Sequence, residues 1–194
     1  MSDLSIKIGL LGNSSVGKSC LIRRYIEDKY EDNFITTIGV DYYEKNVEVN
    51  NTIIKLIIQD TTGEERFRSI SKNYYKNVDG IIFVFDVTNY DSFIDGIRYW
   101  LNECDNEIGE FKKILVGNKI DLCEDMRAIS KEKIEVFAES KQIKYYEVSA
   151  KKGINVDIIF KELIESILRD LPKKNGNKNK KLQNKNNSNK KKCC

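Results

Sequence analysis

No run of about 18 consecutive apolar residues occurs anywhere in the 194-residue sequence, so nothing in it reads as a membrane-spanning helix. The opening Met1-Ser2-Asp3-Leu4 lacks the basic start and apolar stretch of a secretory signal, and the body of the chain is expected to stay in the cytosol. Metal-ligand spacing is also missing among the five cysteines. Cys20, Cys104 and Cys123 are scattered singly and Cys193 and Cys194 are adjacent, which indicates neither a disulfide framework nor a zinc site. Residues 173–194 contain nine lysines and no acid, so the formal charge of +3 hides a first part with 24 basic against 30 acidic residues, a net of −6. The basic character lies in the tail.

At this length, with 40% hydrophobic and 32% charged residues, the chain can bury one good core and is read as one globular domain, residues 1–172. Short, nearly continuous apolar runs at Ile6–Leu11, Ile53–Ile58, Gly80–Phe85 and Ile114–Val116 have the pattern of strands buried on both faces. Tyr145–Val148 and the alternating Tyr43–Val49 add two more. Helical patterns fall between them at about 18–28, 67–76, 91–104, 131–141 and 155–170, the last with Val156, Ile159, Phe160, Leu163, Ile164, Ile167 and Leu168 at helical spacing. This alternation predicts an α/β fold with a six-stranded, mostly parallel sheet, helices on both faces, and a ligand crevice at the carboxyl ends of the strands. Beyond Leu171-Pro172, the Asn/Lys-rich residues 173–194 offer one apolar side chain, Leu182, and are expected to form a disordered tether.

The octet Gly12-Asn13-Ser14-Ser15-Val16-Gly17-Lys18-Ser19 fits G-x-x-x-x-G-K-S, directly after the first apolar run and before a helical pattern that opens at Cys20. In that context the loop N–H groups and the helix start form an anion cradle. Lys18 places a charge on the β- and γ-phosphates and the Ser19 hydroxyl ligates Mg²⁺. A chance glycine turn would explain the glycines but not a lysine and a hydroxyl placed together. Asp60-Thr61-Thr62-Gly63 ends another apolar run and brings a carboxylate to a strand's carboxyl end, where a second Mg²⁺ contact is needed; alone, it also fits an ordinary strand-ending turn. In Asn118-Lys119-Ile120-Asp121, the Asp121 carboxylate can accept two hydrogen bonds from the N1–H and exocyclic amine of guanine, which adenine lacks. Ser149-Ala150-Lys151, after the last strand, offers a backbone N–H to the guanine carbonyl oxygen. A nucleoside kinase or metabolic ATPase built on the same phosphate loop is disfavoured by Asn118-Lys119-Ile120-Asp121 and by the lack of an inserted second-substrate segment.

With the phosphate loop, Thr37, Asp60-Thr61-Thr62-Gly63, Asn118-Lys119-Ile120-Asp121 and Ser149-Ala150-Lys151 in this order, the chain resembles the Ras-like small GTPases over residues 6–171. Ile38-Gly39-Val40-Asp41-Tyr42, Glu65-Arg66-Phe67-Arg68-Ser69, Tyr74-Tyr75 and Cys193-Cys194 look like the Rab branch, which governs vesicle traffic. The resemblance implies GTP or GDP with Mg²⁺, on a P-loop fold of the small G-domain type. Nucleotide contacts would come from Gly12, Asn13, Ser14, Ser15, Val16, Gly17, Lys18, Ser19 and Cys20, with Tyr30 beside the guanine and Thr37 and Gly63 at the γ-phosphate. Asn118, Lys119, Asp121, Ser149, Ala150 and Lys151 would surround the base. Ser19, Thr37 and Asp60 would hold the metal, and Lys18, Thr37, Gly63 and Glu64 would act in catalysis. Segments 33–43 and 61–76 would form a partner surface while the γ-phosphate holds them, and lose it on hydrolysis. Tyr42, Tyr43 and Phe67 either meet partners there or are ordinary packing residues.

Four positions depart from the family pattern. Thr62 and Glu64 stand where alanine and glutamine are usual; ionised Glu64 accepts but cannot donate, and it adds charge beside an anionic γ-phosphoryl group, so slow intrinsic hydrolysis is expected. As a general base, a carboxylate of pKa about 4.3 would be poor. Gln59 replaces a tryptophan that, with Tyr42 and Tyr74, would shape the partner surface, and Ser15 replaces a common glycine. Paired Cys193 and Cys194 after Lys190-Lys191-Lys192 look like a double geranylgeranylation site, giving a membrane two prenyl groups and a basic segment. Partners implied are a nucleotide exchange factor, a GTPase-activating protein, a GDP-dissociation inhibitor, a Rab escort protein and GTP-dependent effectors. The chain is expected to be a monomer without nucleic-acid binding, cycling between cytosol and the cytoplasmic face of a secretory or endocytic membrane. A nearly non-hydrolysing, membrane-bound GTP scaffold is the rival reading.

Overall fold

The computed structural model describes residues 4–31, 40–61, 77–107, 111–122 and 124–186. Six strands, β1 (Leu4–Leu11), β2 (Val40–Val49), β3 (Thr52–Thr61), β4 (Gly80–Asp86), β5 (Lys112–Asn118) and β6 (Lys144–Glu147), form one sheet ordered β2-β3-β1-β4-β5-β6. Every pair is parallel except β2 with β3, a hairpin closed by Asn50-Asn51. Both asparagines take left-handed backbone, φ 52° and 60°, the geometry a two-residue hairpin turn needs and asparagine tolerates. Helix α1 (Lys18–Glu27) follows β1, and a π-helical turn (Ser92–Ile97) runs into α2 (Arg98–Glu107). Helices α3 (Lys131–Ser140) and α4 (Val156–Asn186) complete the described elements. The helix expected over 67–76 lies outside the described residues.

The continuous apolar runs become central strands because both sheet faces are covered. All seven residues of β4 are buried. On one face Ile8, Leu10, Leu56 and Ile58 pack with Leu21 and Ile22 of α1 and Phe160 and Leu163 of α4. On the other, Phe83, Phe85 and Leu115 pack with Ile97, Trp100 and Leu101, and with Ile134 of α3. The mostly parallel sheet with helices on both faces is therefore as the alternation of the sequence reads. Its parallel strands all end at one edge, and β1 has β3 on one side and β4 on the other, so the connections leave in opposite directions and open a crevice there.

Along α4 the apolar positions Val156, Ile159, Phe160, Leu163, Ile164 and Ile167 are all buried, as their spacing requires. The helix differs from expectation at its end: it does not stop at Pro172 but continues to Asn186, into the stretch read as a tether. Six lysines in residues 173–186 favour helix by intrinsic propensity and a helix already nucleated by packed turns can propagate through them, against the opposing preferences of Pro172, Gly176 and five asparagines. The Phe160 ring, fully buried, stacks on Tyr25 of α1 at 3.9 Å between centroids, locking α4 to α1. Phe160→Ala is expected to lower stability by about 3–5 kcal/mol in equilibrium urea unfolding; a loss under about 1 kcal/mol would mean that the stack does not hold the helices together.

Candidate nucleotide-binding site

The loop from Gly12 to Gly17 links β1 to α1 and carries an unusual backbone. Gly17 sits at φ 95° as the residue preceding α1, and Ser15 at φ 63° is left-handed and exposed, which explains why glycine suits that position; the exposed serine side chain has room there but takes on the strain of left-handed backbone. A Cβ on Gly12 would come within 2.0 Å of the Val84 carbonyl oxygen, and one on Gly17 within 2.4 Å of the Asn118 amide nitrogen. Both glycines are thus required by close approach of neighbouring strands. Helix α1 starts without a side-chain cap hydrogen bond and without an acid in its first turn, so its positive end is presented to the loop. Lys18 is buried at 5% exposure and its Nζ donates to the carbonyl oxygens of Gly12 and Asn13, each at 2.9 Å. Burial lowers its pKa to about 8, an effect the nearby Asp60 carboxylate opposes. A buried ammonium, an uncapped helix start and a glycine-rich loop together form an anion site.

Beside Lys18, the Ser19 hydroxyl donates to Asp60 Oδ2 at 2.5 Å, joining the start of α1 to the end of β3. Asp60 is 1% exposed, and the Thr61 hydroxyl anchors the strand end on the Leu10 carbonyl at 2.8 Å. One hydroxyl and one carboxylate form an oxygen-only donor pair next to the anion cradle. Among the described residues no group of three or more acidic, histidine or cysteine side chains could hold a metal by itself. Mg²⁺ is commonly held by one or two carboxylates plus substrate phosphates, so Ser19 and Asp60 fit that ion in that mode.

The far end of the crevice is organised by the Asn118 amide, 2% exposed. Its Nδ2 donates to the Val16 carbonyl at 2.9 Å, while its Oδ1 accepts from the Ala150 N–H at 3.1 Å. One side chain therefore ties the phosphate loop to the loop after β6. Lys119 follows with left-handed backbone, φ 71°, and its Nζ pairs with Asp86 Oδ2 at 2.7 Å. The other Asp86 oxygen accepts from the Thr88 N–H at 2.9 Å and hydroxyl at 2.7 Å. Asp121 accepts from the Ser149 hydroxyl at 2.6 Å, and the same hydroxyl accepts from the Lys152 N–H at 2.9 Å. Lys151 lies with Nζ 5.7 Å from the Tyr30 ring centroid, so these two residues meet at the rim.

The structure thus brings together Gly12, Asn13, Val16, Gly17, Lys18, Ser19 and Asp60 at one end and Asn118, Lys119, Asp121, Ser149, Ala150 and Lys151 at the other. Ser14 is exposed, and Cys20 is half-buried with its thiol pKa raised by burial. Thr37, Thr62, Gly63, Glu64, Phe67, Tyr74 and the terminal Cys193 and Cys194 lie outside the described residues. Tyr43 packs against the core, whereas Tyr42 is 56% exposed, so the packing reading holds for the first and not for the second. Gln59, directly across the β2–β3 ladder from Tyr42, is 6% exposed. Sequence reasoning missed Asp86, whose signal was no more than an acid ending an apolar strand.

The family model described as "Ras: Ras family" matches residues 7–169. The GTP-binding protein YPTM1 of Zea mays is 44% identical over 159 residues, 81% of this chain and 76% of that protein. The GTP-binding protein ypt2 of Schizosaccharomyces pombe is 44% identical over 166 residues, covering 85% and 82%. Ras-related protein Rab-10 of Caenorhabditis elegans is 41% identical over 171 residues, covering 88% and 84%. With that family model over most of the chain and these identities, the chain belongs to the Ras family, in its Rab branch.

Proposed function

We propose that the protein is a guanine-nucleotide switch of vesicle-mediated membrane traffic, binding GTP or GDP with Mg²⁺ and hydrolysing GTP slowly. The observation that carries this reading is the Asn118 amide, which joins Val16 of the phosphate loop to Ala150 of the base-side loop and so sets the spacing between an anion cradle and a purine pocket. Across that spacing, Asp121 offers a carboxylate that matches the paired donors of guanine, and Lys119, steadied by Asp86, flanks the base. At the other end Lys18 neutralises phosphate charge, and polyphosphate oxygens favour its protonated form against the desolvation that lowers its pKa. Ser19 and Asp60, joined by Thr37, would hold Mg²⁺, which supplies charge neutralisation of the β- and γ-phosphates.

In this reading Gly63 donates its N–H to the γ-phosphate, and segments 33–43 and 61–76 are ordered for partners only while that phosphate is present. Exposed Tyr42 is the described part of the partner surface, and Gln59, paired with it across the β2–β3 ladder, is buried. Exchange factor, activating protein, dissociation inhibitor, escort protein and effectors are the partner classes that follow. Residues 173–194 serve as a basic anchor segment with prenyl groups on Cys193 and Cys194; among the described residues no helix is long and apolar enough to cross a membrane.

Three outcomes are expected. Asp121→Asn removes an acceptor and introduces a donor, so affinity for GDP is expected to fall by about 100-fold or more while xanthosine diphosphate gains, measured by equilibrium displacement. Unchanged preference would remove Asp121 from the base pocket. Glu64→Gln is expected to speed single-turnover hydrolysis of bound GTP by about 10- to 100-fold, because glutamine orients water without adding charge. Equal rates would overturn the charge argument, and no detectable turnover in the natural protein would favour the non-hydrolysing scaffold. Finally, intact mass of protein from its own cells is expected to carry two geranylgeranyl groups, with Cys193→Ser/Cys194→Ser leaving the membrane fraction.

A further inference from the structure

Near the end of α1, Arg24 reaches away from the crevice and spans two loops. Its Nε donates to the Ala150 carbonyl and its Nη2 to the Lys151 carbonyl, each at 2.9 Å. Nη1 donates to the Asp28 carbonyl at 2.9 Å and to the Asp28 carboxylate at 3.0 Å. The Arg24 side chain is 17% exposed, whereas that of Asp28 is 92% exposed, so the ion pair itself adds little and the carbonyl contacts are the anchored part. Asp28 closes α1 in left-handed backbone, φ 51°, with its N–H on the Arg24 carbonyl at 3.0 Å. The guanidinium therefore rests on a fixed helix end and holds residues 150 and 151 from behind.

In a trans peptide the C=O and N–H point in opposite directions. Pinning the Ala150 and Lys151 carbonyls toward α1 fixes the N–H groups of Lys151 and Lys152 on the other side. The Lys152 N–H is indeed directed to the Ser149 hydroxyl at 2.9 Å, within the group that includes Asp121. Ser149 and Asn118 hold N–H groups of this loop, while its Ala150 carbonyl rests on Arg24, 126 residues distant in sequence.

We propose that Arg24 is a positioning residue for base recognition: by holding the Ala150 and Lys151 carbonyls it turns the Lys151 N–H, which shares a peptide with the first of them, toward the 6-carbonyl oxygen of the purine. This rests on the guanine reading above and deepens it. A planar fork of donors meets two carbonyls at once, which a lysine ammonium on a flexible stem does less well. Arg24 touches no reacting atom, and its effect is confined to how firmly the 6-oxygen is held.

The test compares release of GDP with release of 2-aminopurine riboside diphosphate, which keeps the exocyclic amine but lacks the 6-oxygen and, with it, the N1–H that faces Asp121; that second loss is the same in every Arg24 variant, so the change between variants reports the 6-oxygen. Stopped-flow dissociation is followed for the natural full-length protein, Arg24→Met and Arg24→Lys. Arg24→Met is expected to release GDP about tenfold faster, as for a lost backbone hydrogen bond, with the 2-aminopurine nucleotide changed less than about twofold. Arg24→Lys falls between, and carries the comparison by itself should the methionine variant not fold. Equal acceleration of both nucleotides assigns Arg24 a merely structural role and overturns the proposal, as does no acceleration of either. If the natural protein releases both nucleotides at one rate, the 6-oxygen is not read at all; the guanine reading falls first, and this inference with it.

Discussion

The arrangement of the crevice depends on one amide. Asn118 at the end of β5 meets the phosphate loop on one side and the loop after β6 on the other, so three segments far apart in sequence share a single rigid spacer. An asparagine can do this because its side chain presents a donor and an acceptor about 2 Å apart and pointing differently. Buried at 2% exposure, with both ends satisfied, it avoids the penalty of an unpaired polar group. Gly17 is part of the same constraint: any Cβ there would collide with the Asn118 nitrogen. The spacer and the hole it occupies are therefore encoded by residues 17 and 118 together.

The ladder that places Asn118 is set by packing. The parallel strands stay in register because helices bury both faces, and three of them deliver a polar residue at or next to their end to the same edge: Asp60 from β3, Asp86 from β4, Asn118 from β5. Polar residues at these ends are buried or nearly so, and each is engaged by a neighbour across the edge rather than by its own strand. The hydrophobic core thus positions chemistry without taking part in it.

Much of this was legible in the sequence. Continuous apolar runs gave the buried strands, since only sheets covered on both faces dispense with alternation, and the phosphate loop, Asn118 and Asp121 stood out by chemistry that few other roles require, whereas Asp60 by itself also fitted an ordinary strand-ending turn. What stayed hidden acts through backbone contacts of long range. Arg24 reads as an ordinary polar residue of an amphipathic helix, and its carbonyl partners carry no side-chain signal. Asp86 looks like any acid at a strand end until Lys119 and Thr88 are seen to share its two oxygens. The continuation of α4 beyond Pro172 was missed for a different reason: composition indicates whether a segment can bury surface, not whether a packed helix before it propagates. Gln59, expected beside Tyr42 at the partner surface, is indeed its ladder neighbour but is buried at 6% exposure, which the sequence alone does not indicate.

The bare start of α1 has a consequence for the whole molecule. Proteins ordinarily close a helix N-terminus with a serine, threonine or aspartate from their own chain; here that place is left to whatever anion enters the loop. The ligand then completes the fold as well as occupying it, and linkage makes the folded state about 4 kcal/mol more stable when ligand stands at a thousand times its dissociation constant. The protein without its ligand is accordingly less stable than with it, and the loop before α1 is where that difference is felt first.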